Sequence, residues 1–569
     1  MTDQLARNEY IKEASNYLRG TLAEGLSEQA TGSIVEDDQQ LVKFHGMYLQ
    51  DDRDLRSERM RKKMEKAFAF MVRVRISGGV LTTAQWLALD RVARDYGNQT
   101  MRLTTRQTVQ LHGIIKSNLK GTLRVIDNAL LNSIAACGDV NRNVMSNPNP
   151  YQSRAHAATL ELAQSLSDHL TPRTPAYREI FLDGERIAGG EQEVIEPIYG
   201  KTYLPRKFKV VVAVPPSNDV DIFAQDLGFI AILDSDGNVE GWNVTAGGGM
   251  GMTHGETDTY PRTADILGFC RTEDVLAVAE HVVTVQRDWG DRTNRKHARL
   301  KYTIEDRELD AFRAEVERRA KITFASPKPF TFTLTGDRYG WTEGEDGRGH
   351  LTLFIENGRI HDTAPFKQMS ALRQIAELHG GDFRITPNQN LVIANVPLDG
   401  QAEITAIAEA NGMLSPASGL RRNSMACVAL PTCGLALAES ERYLPILIDA
   451  LDESLAAHGL SDNDIIIRMT GCPNGCARPY LAEIGLVGKG PERYNLYLGA
   501  AFNGSRLSKL YAEDLRHEGI VAALDPIFAA YAAERQDDER FGDFTVRKGF
   551  VARTDNGRDF HAKRGNFAT

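Results

Sequence analysis

The sequence predicts an α+β fold in which a two-part unit occurs twice. Helix-like and strand-like stretches alternate without the regular order of a Rossmann fold. Residues 101–111 and 383–393 share Arg, Thr and Gln at the same spacing, and their apolar positions coincide. Two further matches follow in the same order, pairing residues 141–145 with 421–425 and residues 241–247 with 493–499. Ordered matches of this kind indicate that one unit was duplicated and then diverged.

Local patterns define the elements of the first unit. Residues 83–96 have apolar side chains at helical spacing, with a threonine that can cap the helix. Residues 102–115 alternate and then run apolar, which is typical of strands. Residues 208–214 form a β-branched run that Pro215-Pro216 stops. Residues 274–286 have the pattern of an amphipathic helix.

The second unit repeats this order. The predicted elements are a helix at residues 366–379, strands at residues 383–396 and 465–469, and a helix at residues 439–458. The first 60 residues match nothing later in the chain, are highly charged and lack sustained apolar periodicity. They are expected to be disordered or to form a partner-docking arm, with a solvated surface helix as the alternative.

Composition and charge exclude several classes of protein. The chain has 569 residues, 42% of them hydrophobic and 25% charged, which predicts a multidomain globular protein. A net charge of −9 argues against general affinity for nucleic acid or anionic membranes. The sequence shows neither a spanning apolar run nor the pattern of a signal peptide, so a cytoplasmic location is expected.

Four of the six cysteines lie close together, as Cys427-x5-Cys433 and Cys472-x3-Cys476. In a reducing compartment such a cluster indicates metal or redox chemistry. The five-residue spacing fits a structural zinc knuckle poorly, and the spacing of bacterial ferredoxins is absent. An iron–sulfur cluster, a zinc site and inert buried thiols all remain open from spacing alone. Cys137 and Cys270 lie apart and are expected to be buried structural thiols.

The cysteine motifs carry a family resemblance. Residues 423–433 (NSMACVALPTC) and 470–476 (TGCPNGC) resemble those of the sirohaem-dependent sulfite and nitrite reductases. The similarity extends through most of the chain, including residues 105–113 (TRQTVQLHG) and 204–209 (LPRKFK). Among these enzymes the chain is most similar to haemoprotein subunits of the NADPH-dependent assimilatory type.

The resemblance implies a fold and two cofactors. Ferredoxin-like halves at residues 61–140 and 345–415, related by a pseudo-twofold axis, would join larger mixed α/β domains at residues 141–344 and 416–569. Sirohaem and a [4Fe–4S] cluster would lie at the centre, and residues 1–60 would dock a partner. Only the second copy has the clustered cysteines; in the first copy, residues 215–218 (PPSN) stand where Cys472 to Cys476 occur in the second.

The resemblance also assigns residues. Cys427, Cys433, Cys472 and Cys476 would bind the cluster, with Cys476 joining it to the sirohaem iron. Four basic residues would bind the substrate and supply protons: Arg75, Arg142, Lys207 and Lys209. Residues expected at or near the sirohaem are Arg106, His112, Arg206 and Asn474. The glycine-rich residues 246–251 are expected either to cradle anionic cofactor groups or simply to form a close-packed turn.

The implied activity is the six-electron reduction of sulfite to sulfide for cysteine biosynthesis. A nitrite reductase and a ferredoxin-dependent sulfite reductase of the same family are the alternatives, and Lys209 favours sulfite because nitrite-reducing relatives usually have Asn there. A zinc-stabilised binding protein would also explain four cysteines. The chain has no dinucleotide-binding fingerprint, so a separate NADPH-dependent flavoprotein is expected to supply electrons. Deletion of residues 1–60 is expected to abolish only the NADPH-linked activity.

Overall fold

The N-terminal segment, residues 4–61, folds onto the rest of the protein. The structure, a computed structural model, describes residues 4–148, 153–173, 180–182, 185–188, 196–414 and 417–562. The segment contains α1 Arg7–Ala14, α2 Leu22–Ser27, α3 Glu36–Leu41, β1 Met47–Asp51 and α4 Arg56–Arg61. Leu18, Val42 and Phe44 are buried in the main core, although no periodic pattern marks them. The expectation of disorder is therefore wrong for these residues.

The first half-domain follows. Its elements are β2 Phe68–Arg73, β3 Val80–Thr82, α5 Thr83–Asp95, β4 Met101–Leu103, β5 Val109–Ile114 and α6 Leu119–Asn128. The predicted helix at 83–96 is confirmed as α5. It begins with a capping box in which the Thr82 side chain accepts a hydrogen bond from the Gln85 N–H. β1 of the N-terminal segment pairs antiparallel with β2 and so extends this sheet.

The first large domain lies between the half-domains in sequence. Its elements are β6 Met145–Ser146, α7 Arg154–His169, β7 Ile180–Leu182, β8 Glu185–Ala188, β9 Val210–Ala213, β10 Leu227–Leu233, β11 Val239–Ala246, β12 Asp265–Cys270, α8 Val275–Trp289, α9 Leu300–Arg307 and α10 Leu309–Ala320. Its main sheet has the order β12-β11-β10-β9-β6. The predicted strand at 208–214 and the predicted helix at 274–286 are confirmed as β9 and α8.

The second half-domain repeats the first. Its elements are β13 Gly340–Glu343, β14 Gly349–Leu353, β15 Arg359–Ile360, α11 Gln368–Leu378, β16 Asp382–Ile385, β17 Leu391–Val396 and α12 Gln401–Ala410. The two half-domain sheets have the orders β1-β2-β5-β4-β15 and β13-β14-β17-β16-β3. β3 and β15 are thus exchanged, because each completes the sheet of the other half.

The second large domain has the same sheet as the first. Its elements are α13 Gly419–Arg422, β18 Ser424–Ala426, α14 Leu444–Ala457, β19 Ile467–Thr470, β20 Ile484–Gly490, β21 Arg493–Leu498, β22 Lys509–Leu515, α15 His517–Glu534 and α16 Phe541–Arg547. Its order β18-β19-β20-β21-β22 corresponds strand by strand to β6-β9-β10-β11-β12. In each sheet two parallel pairings precede two antiparallel ones.

The duplication inferred from sequence is therefore confirmed in the strand order of both pairs of domains. None of the described helices combines the length and apolar character needed to cross a membrane.

Candidate active site

A cavity of about 520 Å³ lies where the N-terminal segment, the first half-domain and both large domains meet. This volume falls within the usual range of sites for small molecules and cofactors. All four clustered cysteines line it, together with basic side chains from the first half of the chain. The cavity thus joins the two sets of residues that the sequence singled out separately.

Two parallel strands place the cysteines at one edge of a sheet. β18 ends immediately before Cys427, and β19 ends two residues before Cys472. Because β18 and β19 are parallel neighbours, the loops that follow them leave from the same edge. The Gly471 N–H donates a hydrogen bond to Cys427 Sγ at 3.3 Å. Donors of this kind orient a thiolate ligand and stabilise its charge.

Close packing requires glycine in the second cysteine loop. A Cβ at Gly471 would lie 2.5 Å from the Ala438 carbonyl oxygen and 2.6 Å from Ala429 Cβ. Alanine at this position would displace the loop that carries Cys433. The sequence Gly-Cys-Pro-Asn-Gly-Cys is thus explained in part by the space between the two loops.

The thiols are shielded from bulk solvent to different degrees. Cys472 is buried, Cys427 and Cys433 are half-buried, and Cys476 is exposed on the cavity wall. Burial and the neighbouring Cys476 raise the pKa of Cys472 to about 12 and also raise the pKa of Cys427. The free thiols of Cys427 and Cys472 are therefore protonated at neutral pH, and metal binding must release their protons.

The donor set fits a cluster better than a single ion. Within the described ranges, no group of three His, Cys, Asp or Glu side chains is arranged to hold one metal ion. A tetrahedral zinc site would require four sulfur atoms about 2.3 Å from a common centre. Four soft ligands around a wider space suit an iron–sulfur cluster.

The basic side chains give the cavity a large positive charge. Predicted residues that line it are Arg106, Arg142, Arg206, Lys207, Lys209 and Asn474. Lys207 and Lys209 flank the buried Phe208, as the predicted alternation requires. Burial and the Arg206 guanidinium lower the pKa of Lys207 to about 7, and burial with Lys207 holds the pKa of Lys209 well below its usual value. An anionic ligand would favour the protonated, charged form of these lysines and would be attracted by it.

Few carboxylates offset this charge. Among the residues lining the cavity, Asp139 is the acidic one, and Arg295 holds it with two hydrogen bonds of 2.7 and 2.9 Å. A macrocycle with many carboxylates, such as sirohaem, would supply the missing negative charge. The residues present therefore fit both implied cofactors.

The placement of Arg75 corrects the sequence-based assignment. Its guanidinium is buried outside the cavity wall and donates to Ser167 Oγ at 3.0 Å and to the Ser167 carbonyl oxygen at 3.2 Å. Arg73, two residues earlier, lines the cavity. β2 ends at Arg73, and Arg75 instead forms an isolated bridge with Asn132, so simple alternation does not continue past the strand. Arg73 takes the place expected for Arg75.

His112 also lies outside the wall of the cavity. It shares a face of β5 with Gln110, which does line the cavity, but lies two residues farther along the strand. Burial and the nearby Arg359 and Arg102 lower its pKa well below the usual value. His112 is therefore a neutral buried side chain next to the site.

The glycine-rich segment 246–251 has a packing role. Its Gly249 and Gly251 carbonyl oxygens accept hydrogen bonds from Lys301 Nζ at 3.2 and 2.8 Å. A Cβ at Gly251 would lie 3.2 Å from the carbonyl oxygen of Asn474. The segment packs against the second cysteine loop, as the close-packed alternative expects.

Sequence reasoning missed several residues of the wall: Gln50, Arg73, Arg102, Thr104 and Gln110. Arg102 donates to the Ala426 carbonyl oxygen at 2.9 Å and pairs with Glu441 at 2.6 Å. It thereby ties the first half-domain to the residue before Cys427. The internal repeat could have indicated Arg102, since it aligns with Arg384.

Comparison with known proteins identifies the family. A model described as "Nitrite/Sulfite reductase ferredoxin-like half domain" matches residues 62–129 and 342–411, and one described as "Nitrite and sulphite reductase 4Fe-4S domain" matches residues 161–324. A Methylobacterium nodulans protein named sulfite reductase [NADPH] hemoprotein beta-component is 67% identical, covering 99% of this chain and 93% of that protein. The chain belongs to the nitrite and sulfite reductase family.

Other members of the nitrite and sulfite reductase family agree with this assignment. An Anoxybacillus flavithermus protein of the same name is 57% identical over 97% of both chains. The solved structure of Mycobacterium tuberculosis NirA matches with a TM-score of 0.77 and 25% identity, covering 95% of this chain and 96% of that one. The predicted resemblance and the α+β fold with ferredoxin-like halves are confirmed. The 4Fe-4S match falls on the first large domain, whose sheet order the cysteine-bearing domain repeats.

Proposed function

We propose that this chain is the haemoprotein component of an assimilatory sulfite reductase, reducing sulfite to sulfide with six electrons. The observation that supports this most is the single cavity that four cysteines share with a surplus of buried cations. Cys427, Cys433, Cys472 and Cys476 would hold the [4Fe–4S] cluster. Cys476 is the exposed member and would join the cluster to the sirohaem.

The bound cofactors would supply electron storage and an iron that binds substrate. The basic residues of the cavity wall would bind the substrate and supply protons. Arg73, Arg142 and Lys209 would hold the oxyanion by charge and hydrogen bonds. Lys207, with a pKa of about 7, can keep a proton on Nζ and release it near neutral pH. These fixed cations stabilise charge that changes at each reduction.

Turnover with a chemical reductant tests this function and its nearest rival together. Sulfite and nitrite are offered separately to the cofactor-loaded protein, and sulfide or ammonia is measured. A higher kcat/KM with sulfite is expected, because a bound dianion favours the protonated, charged form of Lys209 more than the singly charged nitrite does. A clear preference for nitrite would transfer the proposal to nitrite reduction.

An NADPH-dependent flavoprotein is the proposed electron donor, docking on the N-terminal segment. The structure changes how this should be tested. β1 pairs with β2, and Tyr48 and Gln50 line the cavity, so deletion of residues 1–60 should damage both activities. Charge reversal on the exposed end of α4 is the better probe.

We expect the triple variant Arg61→Glu, Lys62→Glu and Lys63→Glu to lose NADPH-linked activity in the reconstituted complex and to keep activity with a chemical reductant. These side chains are exposed and do not line the cavity. Unchanged NADPH-linked activity would remove the C-terminal end of α4 and the two residues after it from the docking proposal.

A further inference from the structure

One short loop, residues 136–138, contacts two of the arginines that line the cavity, Arg73 and Arg142. Arg73 Nη1 donates a hydrogen bond to Cys137 Sγ at 2.9 Å. Arg142 Nε donates to the Gly138 carbonyl oxygen at 2.8 Å, and its Nη1 to the Ala136 carbonyl oxygen at 3.4 Å. Residues 136–138 therefore contact two guanidinium groups that are distant in sequence.

The sulfur atom that accepts the hydrogen bond from Arg73 leaves the positive charge of the guanidinium uncancelled. A carboxylate partner would cancel the positive charge of Arg73, as Glu441 does for Arg102. A cysteine sulfur is a weak acceptor that orients the guanidinium without bringing a carboxylate's charge. The arginine is thereby held in place and still attracts an anion.

The loop itself is fixed from the other side. Cys137 is fully buried. Gly138 has a φ of +90°, and a Cβ there would lie 2.9 Å from the Phe44 ring. Phe44 belongs to the N-terminal segment, which packs over the loop. A rigid loop can fix its two hydrogen-bonded arginines more closely than a mobile one.

We propose that Cys137 is a positioning residue for Arg73, and that residues 136–138 set the geometry of the anion-binding arginines. This inference rests on the proposed function, in which Arg73 and Arg142 bind the substrate oxyanion. It assigns a role to a thiol that the sequence left without one.

The test uses the cofactor-loaded full chain with a chemical reductant. Cys137→Ala removes the acceptor, and we expect it to raise the KM for sulfite about tenfold while kcat changes by less than about twofold. Cys137→Ser keeps a small hydrogen-bond acceptor. Its KM for sulfite should therefore rise by no more than about half as much, on a logarithmic scale, as that of Cys137→Ala. Sulfite affinity, measured by optical titration without turnover, should follow KM.

Two controls separate positioning from general damage. Cys270→Ala removes the other buried isolated thiol, which lies in β12 outside the cavity wall, and should leave KM unchanged. In an Arg73→Gln background, Cys137→Ala should have no further effect on sulfite affinity, because its action passes through Arg73.

Wild-type KM and sulfite affinity in Cys137→Ala would overturn the inference, as would an undiminished effect in the Arg73→Gln background. If Cys137→Ala does not fold, a wild-type sulfite affinity in the Arg73→Gln protein would overturn it instead. Failure of the unmodified chain to reduce sulfite would contradict the proposed function. The optical titration would still report whether Cys137 governs anion binding.

Discussion

At the scale of residues, the cavity is defined by positive charge that few protein carboxylates offset. Arg73 and Arg75 show that two nearby arginines can have different roles. They are separated by one residue, both are basic, and one faces the cavity while the other is bonded to Ser167. The pair offers a matched comparison of a binding role with a structural role.

We expect Arg73→Gln to raise the KM for sulfite at least tenfold with little change in unfolding temperature. Arg75→Gln should instead lower the free energy of unfolding by about 1.5–3 kcal/mol and leave KM within about twofold, because it loses buried charged hydrogen bonds. Steady-state kinetics and thermal melts of both variants check this. The reverse pattern would restore Arg75 to the substrate site.

Lys207 gives the anion affinity of the cavity a pH dependence. Its pKa is lowered to about 7 in the cofactor-free protein, so its charge is present below pH 7 and is lost as the pH rises above it. Sulfate, whose own charge is constant in this range, should therefore raise the unfolding temperature of the cofactor-free protein more at pH 6 than at pH 8. In Lys207→Gln the difference between the two shifts should be smaller, and what remains would come from the other cavity lysines with lowered pKa values, Lys43 and Lys209. Equal shifts in the wild type would contradict the assignment.

The sequence predicted part of this site. Lys207 and Lys209 were found because a motif and a strand alternation agree, and the cysteines because their spacing is unusual. Arg73 was missed because alternation stops where β2 ends, and the sequence does not show that end. Gln110 and Thr104 were missed because ordinary polar residues reveal their role only when the fold brings them to a wall.

At the scale of elements, the N-terminal segment is part of the site. The Arg53 guanidinium donates to the Ala436 carbonyl oxygen at 2.7 and 2.9 Å, across 383 residues of sequence. The Arg53 N–H also donates to the Pro431 carbonyl oxygen at 3.3 Å. Arg53 thus holds both ends of the loop that carries Cys433.

We expect Arg53→Ala to lose iron–sulfur cluster faster than the wild type during incubation with a chelator, by at least threefold. Arg56→Ala is the control, since Arg56 pairs with Asp51 on the surface and such pairs contribute little. Iron released over time is the measurement. Equal rates in all proteins would show that the Cys433 loop does not need this contact.

The exchanged strands depend on two related glycines. Gly79 precedes β3 and Gly358 precedes β15; both have positive φ, +77° and +73°. A Cβ at Gly358 would lie 2.3 Å from the Leu103 carbonyl oxygen in the other half-domain. The chain passes from one half-domain to the other so closely that there is no room for a side chain at Gly358.

Gly358→Ala should therefore lower the free energy of unfolding by about 1–3 kcal/mol. Gly380→Ala provides the control, since nothing lies within 4 Å of a Cβ there. Chemical denaturation of the two variants gives the comparison. A loss that is no larger at Gly358 than at Gly380 would contradict the need for this close crossing.

The helices and strands were largely predicted, but the exchange of strands and the folded N-terminal segment were not. α5, α8, α11 and α14 were predictable because each has a sustained apolar face. The N-terminal helices are short, and their buried residues contact distant parts of the chain. Such contacts leave no periodic pattern in the sequence.

At the scale of the whole molecule, duplication provides two similar sheets that carry different functional residues. The second large domain carries the cysteines after β18 and β19. The corresponding loop after β9 carries prolines, and the strand start before β9 carries Lys207 and Lys209. In the proposed function, one copy would supply the cluster ligands and the other would supply cations for the substrate.

The central claim is that one cavity couples the cluster to the site of sulfite reduction. The most direct measurement counts the electrons withdrawn from a chemical reductant for each sulfide that the cofactor-loaded protein forms. Six electrons per sulfide are expected, with the Soret-type and red-region absorption of sirohaem, and Cys476→Ala should lose sulfide formation. A colourless protein, or sulfide formed at the wild-type rate by Cys476→Ala, would contradict the account.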